Sequence, residues 1–381
     1  MKSIYLDHAA TTPIHPDVLS EMVEVYQNAF GNPSSIHQFG RTARKYLDDA
    51  RETVSRMIGS KPNEIVFTGG GTESDNMAVL GAAFAQKNNG KHIITTKIEH
   101  HAVLNTCRYL ESVGFDVTYL DVDNKGMIDL NELESALRDD TILVTIMYAN
   151  NEVGTVQPIR EIAALVENHQ ALFHTDAVQA FGMIDLDVCE TAIDLLSMTA
   201  HKINGPKGVG FLYIREGVQL VTYAHGGEQE RKRRAGTQNV PGIVGLEKAV
   251  AIASEQFLNK IDKYIGYRQT ICHILDQNEV NYEINGDPDH YLPHILNLYF
   301  PGTQVETLLV NLDLAGIAVS SGSACTAGSV EPSHVLTAMF GAESDRAQSS
   351  IRISFGYGLT TETVEEAGKI IAATVKRLTK S

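Results

Sequence analysis

Lys202 is the residue whose type and setting are best suited to covalent chemistry. It lies in a polar stretch between two apolar runs, and the Gly-Pro-Lys-Gly turn at 205–208 follows it. The runs are typical of buried strands, so we expect Lys202 at a strand end. A lysine with a lowered pKa forms a Schiff base with an aldehyde, and a hydroxyl such as that of Thr199 can bind phosphate nearby. This pairing suggests pyridoxal phosphate; the alternative is an ordinary solvent-exposed loop lysine.

A glycine-rich turn could bind the phosphate of such a cofactor. A short apolar strand runs through Gly69, Gly70 and Gly71 into a helix that begins near Thr72. Glycines let backbone N–H groups approach an anion, and a helix N-terminus favours negative charge. The pattern is neither a Walker loop nor a dinucleotide-binding fingerprint. The alternative is a turn that only connects strand and helix.

Asp176 is the candidate partner for a pyridine nitrogen. It ends an apolar run, where a buried carboxylate needs a cation, and a pyridinium would be that cation. Gln179 could donate to the ring hydroxyl, and His100 could cover the ring face. The alternative for Asp176 is a helix cap. All of the candidate site residues lie just after a predicted strand, where ligands bind in parallel sheets. They are Thr72, His100, Asn151, Asp176, Gln179, Thr199, His201 and Lys202.

Two further residues suggest the substrate chemistry. Arg352 lies in the alternating stretch 349–354, on the face opposite its isoleucine neighbours, and a guanidinium there could bind the carboxylate of an amino acid. The basic run at 231–234 is a second candidate, although such runs are usually solvated. Cys325 lies among small residues at 320–328, in a setting that suits a thiol that moves.

The other cysteines, at 107, 189 and 272, have neither metal-binding nor disulfide spacing, and we expect them to be small buried apolar residues.

Two stretches of the sequence resemble metal-binding sites, but we predict a metal at neither. Adjacent residues at 99–101 point in different directions and no third ligand follows at helical spacing, so we do not predict a zinc site there. The stretch 121–132 partly matches a calcium loop, but Lys125 occupies a ligand position, so we predict a turn and a helix cap.

Alternating strands and helices predict an α/β domain with a mostly parallel sheet and right-handed crossovers. A helix is expected at 16–28 and another at 41–58, and a smaller α/β unit follows residue 255, with a strand at 291–299. The predicted strands of the first domain are 92–96, 116–120, 142–147, 171–175, 194–197 and 208–214.

Composition narrows the class of partner. The 381 residues include 47 Asp and Glu against 31 Lys and Arg, a formal charge of -16. This charge opposes direct binding to nucleic acid or to an anionic membrane. The N-terminus has no apolar signal region and the chain has no apolar stretch of membrane-spanning length. We expect a soluble, cytoplasmic protein that acts on a small molecule or a protein.

Together these motifs resemble the cysteine desulfurases of the NifS/IscS type, in the class-V aminotransferase family. The motifs occur in the family's order between residues 5 and 356, and Ser-Gly-Ser-Ala-Cys at 321–325 resembles the long-loop group. The resemblance implies fold type I of the pyridoxal phosphate enzymes, a homodimer, and a large domain with a mostly parallel seven-stranded sheet. It implies an N-terminal segment at 1–14 near the active site, a large cofactor domain at 15–254, and a small α/β domain at 255–381 that carries the cysteine loop. The other motifs that carry the resemblance lie at 149–154, 174–179, 199–208 and 234–237.

The resemblance also implies roles for individual residues. Lys202 would bind the cofactor and shuttle protons, Cys325 would take the sulfur, and His100 would stack on the ring and assist catalysis. Asn151 and Arg352 would hold the substrate carboxylate. No resident metal is implied, apart from a transient contact of Cys325 with an iron–sulfur cluster. The implied cofactor-binding residues are Gly71, Thr72, His100, Asn151, Asp176, Gln179, Thr199, His201 and Lys202, with Thr237 from the other subunit.

The implied reaction is desulfuration of L-cysteine. L-Alanine leaves, and a persulfide on Cys325 passes to an acceptor, which could belong to iron–sulfur cluster assembly, tRNA thiolation or a cofactor-biosynthetic pathway. Rival hypotheses are a transaminase or a selenocysteine lyase of the same fold, and a non-catalytic binding protein. A transaminase needs no nucleophile like Cys325, and a binding protein needs none of Lys202, Asp176 and Cys325.

Overall fold

A seven-stranded sheet forms the centre of the fold and carries the candidate site at one edge. The structure, a computed structural model, describes residues 3–322 and 332–379. The strands in these residues are β1 (Ile4–Tyr5), β2 (Ile65–Thr68), β3 (His92–Thr96), β4 (Asp116–Leu120), β5 (Thr141–Thr145), β6 (Leu172–Asp176), β7 (Leu195–Thr199), β8 (Gly210–Ile214), β9 (Glu283–Asn285), β10 (Ile295–Tyr299), β11 (Ile317–Ala318) and β12 (Ser350–Ser354).

The order of the large sheet is β2-β8-β7-β6-β5-β3-β4. Strand β8 is antiparallel to both of its neighbours, and the remaining pairs are parallel. The predicted α/β fold with a mostly parallel seven-stranded sheet is therefore confirmed. Parallel strands end at the same edge of a sheet, which brings residues that are distant in sequence together.

Helices cover both faces of this sheet, as the continuous apolar strands require. Helices α3 and α4 pack on one face, while α2, α6 and α7 pack on the other. The helices are α1 (Pro16–Asn28), α2 (Gln38–Met57), α3 (Gly71–Gln86), α4 (His101–Ser112), α5 (Leu130–Ala136), α6 (Ile159–Val166), α7 (Val240–Glu255), α8 (Phe257–Gln277), α9 (Val305–Leu314), α10 (His334–Phe340), α11 (Arg346–Ser349) and α12 (Thr361–Thr379).

The later part of the chain forms a second, antiparallel sheet of order β12-β10-β9. The N-terminal strand β1 pairs in parallel with β11, and residue Asp7 forms a bridge with Ser354 of β12. Residues 4–7 thus lie between the second sheet and the candidate site. The domain boundaries at 14 and 254 stay a prediction.

Local predictions agree with the structure in part. The helix predicted at 16–28 is α1, and the calcium-like stretch is a turn at Asp123 followed by a cap at Asp129, as predicted. The strand predicted at 291–299 begins only at Ile295, because Pro293 has no N–H to donate to a ladder. The prediction for Cys189 is wrong: its side chain is exposed, and its thiol donates to the Gly59 carbonyl at 2.7 Å.

Helix length and hydropathy decide whether a helix could cross a membrane. Within residues 3–322 and 332–379, no helix combines the length and the apolar character needed to cross a bilayer.

Candidate active site

A cavity of about 190 Å³ lies at the carboxyl edge of the large sheet, against β12. It collects nearly all the residues that the sequence singled out, from segments far apart in the chain. Its lining residues are Ala9, Ala10, Gly71, Thr72, Asp75, His100, Met147, Ala149, Asn151, Asp176, Val178, Gln179, Thr199, His201, Lys202 and Arg352.

Lys202 lies on a short 3-10 turn that directly follows β7. Its side chain is half-buried, and Nζ donates to the carbonyls of Ala9 (2.5 Å) and Ala10 (2.9 Å). The N-terminal segment therefore forms one wall around this amine. The predicted position of Lys202, at a strand end and in a pocket, is confirmed.

The glycine turn between β2 and α3 is built to receive an anion. Gly70 precedes α3 at φ +142, a backbone conformation that suits glycine, and no side chain caps the helix there. A Cβ on Gly71 would lie 3.0 Å from the Val178 side chain, so this position also has little room for a larger residue. The first N–H groups of a helix have no partner within the helix. Gly71, Thr72 and Thr199 line the cavity, and the Thr199 hydroxyl lies 3.5 Å from the position a Cβ would take on Gly70.

His201 closes this end of the cavity. Its Nδ1 lies 3.1 Å from the Thr11 hydroxyl. Burial, then the charges of Lys202 and Lys207, lowers the pKa of His201 to about 4. A neutral imidazole that can donate a hydrogen bond thus faces the glycine turn.

Two acidic side chains, Asp176 and Asp75, lie at the opposite end. Asp176 ends β6 and accepts the Val178 N–H at 2.9 Å. Burial raises the pKa of Asp176, while the Val178 N–H and Lys202 lower it. Burial, then the Asp176 charge, raises the pKa of Asp75 well above its usual value. Asp75 Oδ1 has no hydrogen-bond partner among the described residues, so this end of the cavity favours a cationic or proton-donating group.

His100 caps the N-terminus of α4, where its Nδ1 accepts the Ala102 N–H at 3.1 Å. Burial, followed by the nearby charges of Lys202, His101 and His334, lowers the pKa of His100 to about 4. Because Nδ1 is an acceptor, the proton of the neutral ring is assigned to Nε2. His100 can therefore donate a hydrogen bond from Nε2 to a group in the cavity.

Asp75, His100 and Asp176 also form a group with metal-ligand character. Their ligand atoms lie within 4.8 Å of one another. All three line the same cavity as Lys202, so a cation held by them would lie beside the amine and not at a separate site.

Arg352 is almost fully buried on the other side of the cavity, in β12. One terminal nitrogen donates to the Asn151 carbonyl and the other to Asp7, each at 2.8 Å. Its Nε has no hydrogen-bond partner within the described part of the chain. An unsatisfied guanidinium N–H in a cavity wall is a ready donor for a carboxylate.

Gln179 lines the cavity and is hydrogen-bonded to the N-terminal segment. Its amide donates to the Ala9 carbonyl at 2.9 Å, and its oxygen lies 3.3 Å from His294 Nε2. One of the two amide hydrogens is therefore used within the protein, and the second is left for a bound group.

Of the predicted site residues that the structure describes, one is not in the cavity. Thr237 is exposed and does not line it. Cys325 lies outside the described residues. In the basic run, Arg234 forms an ion pair with Glu73 (2.7 Å) beside the glycine turn, whereas Arg231 and Lys232 are exposed.

Two buried carboxyl groups, those of Asp75 and Glu99, were not predicted from the sequence as parts of the site. Asp75 lies four residues after Gly71 in α3, and this helical spacing places it one turn below the glycine turn on the inward face. That spacing was the available signal. Glu99 stood out in the sequence only as a rejected zinc ligand, yet it is fully buried behind His100.

Glu99 leads to a prediction about stability and pH. Its Oε1 accepts the Thr96 hydroxyl (2.8 Å) and the Met147 N–H (2.9 Å), and burial raises its pKa to about 8 from an unfolded value of 4.5. Below pH 4.5 both states hold the proton. Between pH 4.5 and 8 only the folded state keeps it, so the free energy of unfolding falls as pH rises.

Glu99→Gln keeps the accepting oxygen and removes this ionisation. We expect the variant to be more stable than the parent by about 4 kcal/mol at pH 8 and nearly equal to it at pH 4.5, when thermal unfolding is measured at both. Glu365→Gln, at an exposed position of α12, is the control and should show no pH-dependent difference. Equal shifts for Glu99→Gln at the two pH values would contradict the assignment.

Comparison with known proteins agrees with this geometry. The family model for aminotransferase class-V matches residues 4–366. A Bacillus subtilis (strain 168) protein, provisionally named cysteine desulfurase IscS 1, is 61% identical over 379 residues, which is 100% of both chains. The cysteine desulfurase IscS of Methanosarcina thermophila is 47% identical over 99% of this chain and 93% of its own.

Solved structures give the same result. A protein described as NifS-like is 40% identical, with a TM-score of 0.92 over 98% of this chain and 100% of its own. SspA, solved in complex with cysteine, is also 40% identical, with a TM-score of 0.79 over 92% of this chain and 98% of its own. The chain therefore belongs to the class-V aminotransferase family and, within it, to the cysteine desulfurases of the NifS/IscS type.

Proposed function

We propose that the protein removes sulfur from L-cysteine with pyridoxal phosphate bound in the Lys202 cavity and with Cys325 as the group that receives the sulfur. The observation that carries the proposal is the cavity itself, which combines a lysine amine, an anion-binding glycine turn and a buried carboxylate within about 190 Å³. The relatives named as cysteine desulfurases support the substrate and the reaction.

The residues present fit this cofactor. Gly71, Thr72, Thr199 and His201 would hold the phosphate at the start of α3. Asp176 would hold the ring nitrogen. The nearby Asp75 Oδ1, which accepts no hydrogen bond from a described residue and lies 3.7 Å from His174 Nε2, also favours a positive group. When bound, pyridoxal phosphate supplies an aldehyde that condenses with amines and a ring that takes up electrons from the substrate's α-carbon.

The remaining ring contacts follow from the cavity walls. His100 would lie against the ring, and the second amide hydrogen of Gln179 would be directed to its hydroxyl. Asp176 keeps its negative charge more easily when a cation is beside it, because burial otherwise raises its pKa. The carboxyl group thus both binds the cofactor and favours the protonated ring.

The protein's own groups would then carry out binding and proton transfer. Arg352 and Asn151 would hold the substrate carboxylate, since Arg352 Nε makes no hydrogen bond to any described residue. Lys202 would move a proton at the substrate's α-carbon, because its amine lies in the same cavity as the groups that would hold cofactor and substrate. His100 would donate a hydrogen bond from Nε2 to the reacting groups.

The sulfur step assigned to Cys325 balances in atoms and electrons. The Cys325 thiolate forms a bond to the substrate sulfur, and the bond between that sulfur and the β-carbon breaks. The electron pair stays on carbon, which takes up a proton and leaves as the methyl group of L-alanine. The resulting persulfide is passed to a thiol of an acceptor protein, for which we propose iron–sulfur cluster assembly or tRNA thiolation in the cytoplasm.

A matched pair of cysteine variants tests this proposal. Cys325→Ala should lower alanine production from L-cysteine by at least about 10³-fold, because removing a nucleophile removes the step it performs. It should keep the visible absorbance of the bound cofactor. Cys189→Ala changes an exposed cysteine and should behave like the parent.

If Cys325→Ala made alanine at the parent's rate, the nucleophile assignment would be wrong. A transaminase or lyase would then be the better description. Loss of activity in both variants would instead indicate a general effect of thiol removal.

We further propose that the protein is a homodimer in which Thr237 reaches the partner's phosphate site. An exposed apolar patch, made of Phe30, Ile36 and Phe39, supports a second copy as the occupant; these residues are 72%, 91% and 57% exposed. Phe30 and Phe39 stack with ring centroids 5.3 Å apart. Exposed apolar side chains in such a group are typical of protein interfaces.

The position of Thr237 relative to this patch fits the same arrangement. Helix α7 begins three residues after Thr237, at Val240, and Val240 packs in one cluster with Val25 and Ala29 of the segment leading to Phe30. A second copy seated on the patch would therefore also lie near Thr237. This explains why a predicted phosphate ligand is absent from the cavity of its own chain.

The double variant Ile36→Glu with Phe39→Glu should dissociate the dimer, because it places charges in the apolar patch. Sedimentation velocity should show monomers, and the affinity for pyridoxal phosphate should fall about tenfold or more as the Thr237 contact is lost. Leu314→Glu alters a residue that is 81% exposed on α9 and should leave a dimer. A double variant that remains dimeric would refute this interface.

A further inference from the structure

Three consecutive residues beside the basic run have left-handed backbone conformations, although none of them is glycine. They are Glu230 (φ +47), Arg231 (φ +56) and Lys232 (φ +67), in the short 3-10 segment Gln229–Lys232. Residues with a Cβ adopt this conformation at a cost in free energy, and normally one at a time. Such a cost persists only where the surrounding contacts enforce it, and it is often found at functional sites. The contacts of this segment must therefore impose its path.

The side chain of Glu230 supplies the restraint. It is almost fully buried and makes two contacts of 2.9 Å with the guanidinium of Arg51 in α2. Glu230 Oε2 also accepts the Phe67 N–H at 3.0 Å, and Arg51 Nη1 donates to the Ile65 carbonyl at 2.5 Å. The guanidinium lies over the Phe67 ring, 4.6 Å from its centroid. Breaking this buried pair is costly, because the remaining charge would be left without its partner.

The buried pair also fixes the strand that leads into the glycine turn. Ile65 and Phe67 belong to β2, an edge strand of the large sheet that pairs with β8 on one side. The Glu230 carboxylate accepts the Phe67 N–H on the open side, where another strand would otherwise bond. Strand β2 ends at Thr68, and Gly69 follows it directly. The same pair therefore restrains both residues 230–232 and the start of the turn.

A second ion pair joins the chain after Lys232 to the turn itself. Arg234 donates to both oxygens of Glu73, at 2.7 and 3.2 Å, and Glu73 Oε2 accepts the Gly69 N–H at 2.6 Å. Arg234 follows Lys232 by two residues, so their Cα atoms are at most about 7 Å apart. The path of the strained segment therefore decides whether the guanidinium of Arg234 reaches Glu73.

Glu73 places a negative charge beside the anion-binding turn. It lies in the first turn of α3 and, like Gly70, Gly71 and Thr199, lines a neighbouring cavity of about 670 Å³. An unpaired carboxylate there would repel a phosphate at the point where the helix N-terminus attracts one. Arg234 compensates this charge through its two hydrogen bonds to the carboxylate. A turn that accepts phosphate therefore depends on the contact between Arg234 and Glu73.

We propose that Glu230 and Arg51 are positioning residues for the cofactor phosphate. Their buried pair enforces the left-handed path of residues 230–232, and this path brings Arg234 onto Glu73. The neutralised carboxylate then leaves the glycine turn ready for an anion. The proposal rests on the proposed function, because it takes the phosphate of pyridoxal phosphate as that anion. It assigns neither Glu230 nor Arg51 a contact with the cofactor.

Pyridoxal, which has the same ring and aldehyde but no phosphate, separates a phosphate effect from a general loss of structure. The full-length protein, freed of cofactor, is titrated with pyridoxal phosphate and separately with pyridoxal. Dissociation constants are obtained from the visible absorbance of the bound compound. Glu230→Gln and Arg234→Gln are compared with Arg160→Gln, which removes one side of an exposed ion pair with Glu190. Thermal unfolding shows whether each variant is folded at the assay temperature.

For Glu230→Gln and Arg234→Gln, we expect the affinity for pyridoxal phosphate to fall about tenfold or more, and the affinity for pyridoxal to stay within about twofold of the parent's. Arg160→Gln should match the parent with both compounds. Arg51→Lys keeps the charge but cannot make both contacts with Glu230, so it should lose about threefold for pyridoxal phosphate alone. This variant tests the pair if Glu230→Gln does not fold.

Glu73→Gln provides the rescue. It removes the charge and keeps an oxygen for the Gly69 N–H. Added to Glu230→Gln or to Arg234→Gln, it should restore the affinity for pyridoxal phosphate to within about threefold of the parent's.

Equal weakening of pyridoxal phosphate and pyridoxal binding would overturn the proposal, since that indicates a purely structural role. So would unchanged affinity in Glu230→Gln and Arg51→Lys. A loss that Glu73→Gln does not restore would also overturn it, and would place the effect in the Thr237 contact instead. Failure of the proposed function is distinguishable, because the parent itself would then show no visible absorbance with either compound.

Discussion

Burial of acidic side chains beside one lysine is the constraint on which the rest of the site depends. Asp75 and Asp176 are buried in the cavity wall, and Glu99 is buried just behind it. Burial raises the pKa of each of them, so each requires a proton or a cation nearby. Lys202 supplies part of that positive charge, and a protonated pyridine ring would supply more. The proposed chemistry follows from this imbalance of charge.

The fold provides this arrangement through the direction of its strands. The ends of β6 and β7 place Asp176 and Lys202 at the same edge of the sheet, and the turn after β2 places the glycines there as well. The N-terminal segment completes the wall because β1 is anchored to β11 and the carbonyls of Ala9 and Ala10 accept from Lys202. The second sheet contributes Arg352. Arg352 and the residues at the strand ends of the large sheet therefore come from different sheets joined by one hydrophobic core.

Much of this was predictable from the sequence, for a physical reason. Strand ends are marked by polar residues after apolar runs, so the sequence alone places Asp176, Thr199 and Lys202 at one edge of a parallel sheet. Arg352 was placed correctly because a period of two decides which face of a strand a side chain occupies. The family resemblance then assigned roles that periodicity alone does not contain.

Other features depend on contacts between distant segments, which no local pattern encodes. Asp75 resembles any polar residue of a helix until α3 is packed against β6 and β7. The burial of Cys189 was predicted wrongly because it is decided by how its loop lies against Gly59. Tertiary contacts override local expectation in each case.

The location of the sulfur after a single turnover is the decisive measurement for this mechanism. The holoenzyme is mixed with one equivalent of L-cysteine without reductant, quenched, digested and analysed by peptide mass spectrometry. The mechanism predicts the added mass of one sulfur atom on the peptide that contains Cys325, in step with the alanine released. Alanine release with the added sulfur on Cys189, or on no cysteine of the chain, would contradict it.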